Sequence, residues 1–174
     1  MTVIFPEATP VLGNLKVAVL DTVATTTAPD LSSEIGAAGT VDISCFIRNW
    51  NVEISTNTGT APPRVCTTLD LPQSGRSSMS PIELRYIYDP QDADDSSDEN
   101  TLKAKLVEGT ELFVVVRKGI PYATAFTAGD AVETYKVRVG RQNRVTSGDD
   151  DLAEFEISQY LYPIALPAYG QVVA

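Results

Sequence analysis

The sequence predicts a mainly β fold: a β-sandwich or barrel domain with one α-helix and one long protruding hairpin. Three observations predict it. Apolar and polar residues alternate with period two in several separate segments. One segment alone switches to helical spacing. A long polar excursion, Ile54–Thr67, breaks the apolar rhythm with a Gly and a Pro-Pro pair. At 174 residues the chain fits one domain, 1–174, with enough length to bury a sizeable core.

The elements follow in order. After a Pro-containing N-terminal stretch, about residues 1–14, Leu15–Leu20 opens the first strand. Thr40–Ile47 alternates Val41, Ile43, Cys45 and Ile47 against Asp42 and Ser44, which predicts a half-buried strand and a buried Cys45 thiol. Ile82, Leu84, Tyr86 and Tyr88 share a face opposite Glu83 and Arg85. Glu111–Lys118 is continuous through Val114, Val115 and Val116, as in a strand covered on both faces. Tyr135, Val137 and Val139 oppose Lys136 and Arg138. Phe155, Ile157 and Leu161 oppose Glu154 and Glu156.

The helix is expected at about Ser97–Glu108. Leu102 and Leu106 fall on one helical face, Ser96 and Glu99 form a capping box, and Glu99–Lys103 is an i,i+4 pair. Gly109 stands where a left-handed residue ends a helix. Asp21–Gly39 and Gly140–Asp151 read as loops, and residues from about 163 to 174 as a C-terminal extension.

Composition narrows the function. The formal charge is −10, from 13 basic and 23 acidic residues, the wrong sign for a protein that grips phosphates. There is no histidine, hence neither the commonest general base nor the commonest transition-metal ligand. Two cysteines, Cys45 and Cys66, are too few for a disulfide scaffold or a thiolate zinc site. No signal peptide and no apolar run of membrane length are evident, so a soluble protein made in a cytoplasm is expected.

The remaining constellations are weak. Asp92, Asp94 and Ser96 begin like a calcium-binding EF-hand loop. Ser97 then occupies the turn-glycine position and Lys103 that of the bidentate Glu, so a solvated loop is the better reading. No phosphate loop, nucleophile elbow or Cys/His pairing occurs, so no catalytic, cofactor-binding or metal-binding residue is assigned. Arg141 and Arg144 beside Lys136 and Arg138 form a small basic patch, either plain surface or the complement of an acidic neighbour.

The polar excursion reads as a hairpin arm, about residues 49–80. Its limbs of roughly ten residues reach about 30 Å, beyond the radius of gyration of about 16 Å for a compact domain of this size. An isolated two-stranded hairpin is marginal in water, so the arm needs a surface, its own or a neighbour's.

The order of features over most of residues 40–165 resembles the major tail protein, the tail-tube subunit, of long-tailed, siphovirus-type bacteriophages. The residues that carry the likeness are "RNWNVEISTNTGTAPPRVCTTLDL", "PIELRYIYDPQDADD", the helix, "ELFVVVR", "AVETYKVRVG" and "EFEISQYLYP". The resemblance implies a structural virion protein without cofactor or catalysis, made in the host bacterial cytoplasm. It implies hexameric rings that stack, an inner β-barrel through which DNA slides unbound, and tape-measure, tail terminator and distal tail proteins as partners. Trp50, Asn57, Pro62, Pro63 and Arg64 become candidate inter-subunit contacts. Glu83, Glu154 and Glu156 become candidates for the lumen, with outer surface as the equal alternative, and Trp50 can equally plug the base of its own arm. Other readings are a tail terminator, a capsid decoration protein, or a carbohydrate-binding module using Tyr86, Tyr88, Tyr160 and Tyr162.

Overall fold

The computed structural model describes residues 10–61, 65, 72–92, 95, 97–147 and 154–174. Its elements are β1 (Leu15–Leu20), β2 (Val41–Asp42), β3 (Ile54–Thr60), β4 (Pro72–Met79), β5 (Ile82–Ile87), α1 (Thr101–Lys105), β6 (Glu111–Lys118), β7 (Ala131–Ser147), β8 (Glu154–Pro163) and β9 (Ala168–Gln171). Seven strands form one antiparallel sheet in the order β2-β1-β6-β7-β8-β5, with β9 also on β7; β3 and β4 form a separate two-stranded sheet.

The sheet curls toward a barrel because one short segment touches both of its edges. Val41 and Asp42 pair with Val19 and Ala18 of β1, and the Ile43 N–H donates to Val17 O. Four residues later Ile47 bridges Tyr86, and the Arg48 N–H donates to Arg85 O on β5. The enclosed face holds the main core, including Val17, Val19, Leu84, Tyr86, Val114, Val137 and Ile157, lidded by Leu102 and Leu106. A smaller apolar cluster on the other face packs Ala18, Leu20, Val115 and Val132 under Val23, Ile35, Phe126 and Val172. Both faces of β6 are therefore covered, as its continuous apolar run requires.

Several elements differ from the sequence expectation. The strand from Thr40 stops after Asp42, whose carboxylate accepts from the Ser44 N–H (3.0 Å) and hydroxyl (2.5 Å) and turns the chain. The turn shifts the phase, so Phe46 packs on the core and Cys45 is exposed. Gly140–Asp151 is not wholly a loop, because β7 runs on through a bulge between Val139 and Gln142 to Ser147. Asp21–Gly39 contains a short helical turn, Leu31–Ile35, capped by Asp30.

The helix is shorter than expected, a 3-10 turn at Asp98–Asn100 followed by α1. Its last carbonyls are taken by side chains of the sheet: Gln142 Nε2 donates to Lys103 O and Leu106 O, and Gln159 Nε2 to Leu106 O. Leu102 and Leu106 are both fully buried, and Gly109 takes a φ of 84°. Lys103 pairs with Asp95, not with Glu99. Ser96 of the expected capping box lies outside the described residues.

Candidate functional site

The arm is built by register. Ile54 pairs with Met79, and the Ser80 N–H donates to Glu53 O. Ile47 pairs with Tyr86 in the same register. Residues 47–60 and 72–86 are thus one antiparallel ribbon whose inner end is the free edge of β5 and whose outer end is the arm. The ribbon opens between Arg48 and Glu53. There the chain swings Trp50 and Val52 onto the core and leaves a cavity of about 470 Å³ lined by Arg48, Asn51, Glu53, Ser80, Glu83 and Arg85.

Trp50 is therefore placed inside its own chain. Its ring meets Tyr135 edge-on, with centroids 5.5 Å apart and planes at 68°. Beyond it, β3 and β4 are exposed up to Ser78 on both faces. Ser55–Ser78 and Thr56–Ser77 hydroxyl pairs, each 2.9 Å, link the strands. Asn57 is exposed at a bulge facing Gly75, where a Cβ would come within 2.9 Å of the Asn57 carbonyl oxygen. Pro62, Pro63, Arg64 and Cys66 lie outside the described residues.

The second surface is the uncovered part of the outer sheet face. Glu83 accepts from Arg85 Nε (2.9 Å) and Ser158 Oγ (3.1 Å), the former holding its carboxyl below the ordinary range. Glu111 accepts from Arg138 (2.7 Å) and pairs with Lys136 (3.2 Å), with the same effect on its carboxyl. Arg48 spans Glu154 (2.7 Å) and Glu156 (2.5 Å). Glu154 is exposed, whereas Glu156 is 1% exposed beneath Arg48. Four carboxylates, Glu83, Glu111, Glu154 and Glu156, thus meet four cations, Arg48, Arg85, Lys136 and Arg138, and the surface is locally charge-balanced.

Sequence reasoning named three of those acids and missed their partners. The alternation of Glu83 with Arg85 was a visible signal, but Arg48 reaches β8 only through the fold. The expected basic patch divides at the bulge: Lys136 and Arg138 bind Glu111, while Arg144 lies over the Tyr88 ring. Phe155, expected in the core, is 54% exposed because the β7–β8 hairpin outruns the core there. Of the tyrosines, Tyr86 and Tyr88 are buried and Tyr160 and Tyr162 exposed.

The acidic stretch after β5 is organised by a fully buried asparagine. Asn100 Nδ2 donates to Asp89 O (3.1 Å) and Asp92 Oδ2 (3.1 Å), and its Oδ1 accepts from the Asp89 N–H. Among the described residues no group of three His, Cys, Asp or Glu side chains is placed to hold a metal, and no helix is long and apolar enough to cross a membrane.

The model of one protein family, described as phage tail tube protein, matches residues 2–173. No curated protein matches the sequence. Among solved structures, a chain of the anti-feeding prophage baseplate, from a cryo-EM structure symmetrised six-fold, aligns with a TM-score of 0.54 at 8% identity. The alignment covers 94% of this chain and 97% of that one. At that identity the likeness is one of fold.

Proposed function

The chain belongs to the phage tail tube protein family, and from that premise we propose that it self-assembles into stacked hexameric rings that form the tube through which DNA passes. The single domain then carries an N-terminal arm at about residues 1–14 and the hairpin arm at about 49–80, while the expected C-terminal extension at about 163–174 instead returns to the sheet as β9 and buries Val172. The observation that carries the reading is the arm. Its strands are exposed on both faces, while its base is fixed by Trp50 and the β5 ribbon. Such a hairpin is marginal alone, and a neighbouring subunit supplies the missing surface.

The protein acts by geometry rather than chemistry. Closed rings remove exposed strand edges, and the wall presents no excess cation to retain phosphates. On the outer sheet face Glu83, Glu111, Glu154 and Glu156 are matched by Arg48, Arg85, Lys136 and Arg138, which leaves little net field for a passing duplex. A lumen position for these acids, tape-measure, terminator and distal tail proteins as partners, and a place in the virion all follow from the same reading.

Negative-stain electron microscopy across a concentration series tests it. Hollow rings or tubes are expected, and deletion of Asn57–Pro63 should abolish stacking while single rings persist. Single rings from the intact protein at every concentration would favour a tail terminator, and binding only to preformed shells a decoration protein.

A further inference from the structure

The two ends of the ribbon differ in charge. β4 and β5 form a nearly continuous line from Pro72 to Ile87, about 50 Å long at 3.3 Å per residue. At the arm end, Ile54–Thr60 and Pro72–Met79 carry a single charged residue, Arg76, which is exposed and makes no ion pair among the described residues. Just past the other end, Asp89–Glu99 contains six acidic residues and no base. Two of these, Asp98 and Glu99, are exposed and make no ion pair among the described residues. They border a cavity of about 180 Å³ that also takes in Cys45, Phe46 and Ile87. The nearby cations are otherwise engaged: Lys103 is bound to Asp95, and Arg144 lies over Tyr88.

We infer that the arm of one copy docks head-to-tail on the acidic end of another, with Arg76 received between Asp98 and Glu99 against Phe46. This rests on the tail-tube reading and adds the partner surface and its polarity. A copy displaced along the ribbon axis, in the same orientation, presents the acidic end to the arm. The contact is heterologous, so it repeats without closing and builds length. The hydroxyl-rich arm supplies hydrogen bonds and unpaired strand edges. The Arg76 charge fixes register and direction, which is what interfacial charges do best. A planar guanidinium suits a cleft with two carboxylates and an aromatic wall.

The test uses the full chain carrying Arg76→Lys, which keeps the charge and gives carbodiimide an amine to join to carboxylates. Assembled from isotopically light and heavy copies, the protein should yield light–heavy cross-links from position 76 to Asp98 or Glu99. In parallel, Arg76→Glu should raise the concentration needed for stacking at least tenfold, and adding Asp98→Lys with Glu99→Lys should restore it. Cross-links from position 76 to any other region, or an Arg76→Glu chain that stacks as the wild type does, would overturn the docking while leaving the tube reading intact. A wild-type chain that never self-associates would overturn both.

Discussion

Arg48 covers Glu156, with Nε 2.5 Å from a carboxylate oxygen that is almost wholly removed from solvent. Arg48 leaves the segment that closes the sheet, and Glu156 belongs to β8, so this one contact ties the base of the arm to the outer sheet face. Arg48→Ala strands a buried carboxylate. Because Arg48 is itself half exposed, the expected loss is about 1–3 kcal/mol, below that of a fully buried pair. Urea unfolding of Arg48→Ala, Glu156→Gln and the double variant checks it, and the double variant should recover part of the loss.

Trp50 is the only tryptophan, so its fluorescence reports the base of the arm directly. Trp50→Ala removes the edge contact with Tyr135 and should cost about 2–3 kcal/mol, a half-buried fraction of a core aromatic truncation. Trp50→Phe should cost about 1 kcal/mol or less. Amide hydrogen exchange should quicken at Ser80, whose N–H donates to Glu53 O, in the Ala variant before it quickens in β6.

Arg117 is a sharper case. Its buried guanidinium donates to Thr124 O (2.8 Å), Ala125 O (2.8 Å), Pro121 O (3.2 Å) and Asp130 Oδ2 (2.7 Å), pinning the connection between β6 and β7. Asp130→Ala leaves that cation without a counter-charge, and about 3–5 kcal/mol of stability should be lost. Thermal unfolding measures it. A change below 1 kcal/mol would show that the backbone carbonyls suffice.

Asp30 sets an acid limit. The Ser33 N–H, then the hydroxyls of Ser33 and Ser32, hold its carboxyl at about 2 against an ordinary 3.8. A depressed carboxyl adds stability that is fully present above its unfolded value and is lost as pH falls through the folded one. Asp30→Asn should therefore melt lower than the wild type at neutral pH, and the gap should close between about pH 4 and pH 2. A gap independent of pH would assign the cap to hydrogen bonding alone.

Much of this architecture was legible in the chain. The strand at Leu15–Leu20, the alternation of β5 and the apolar run of β6 read directly, because each is governed by local burial on a pleated strand. What could not be read depended on partners distant in sequence. Glu156 looked solvated because Arg48, which covers it, lies 108 residues earlier. The helix looked longer because Gln142 and Gln159, which take up its last carbonyls, come from β7 and β8. The strand at Val41 looked longer because the Asp42–Ser44 turn competes locally with extension. The arm was legible as an arm, but its register with the edge of β5 was not.

The pairing of β7 bears on how the molecule comes into being. This single strand of 17 residues holds β6 on one side and β9 then β8 on the other, while β1 must wait for β6, about a hundred residues later. The β1–β6 and β5–β8 ladders join segments far apart in sequence, the kind of pairing that slows barrier crossing toward milliseconds or seconds. A ribosome-bound chain lacking β7 and β8 can pair only β2, β1 and β6, leaving β5 and the far edge of β6 as sticky edges in the interval. Folding is thus completed only after most of the chain has emerged, and the edges through which copies would join exist only on finished subunits.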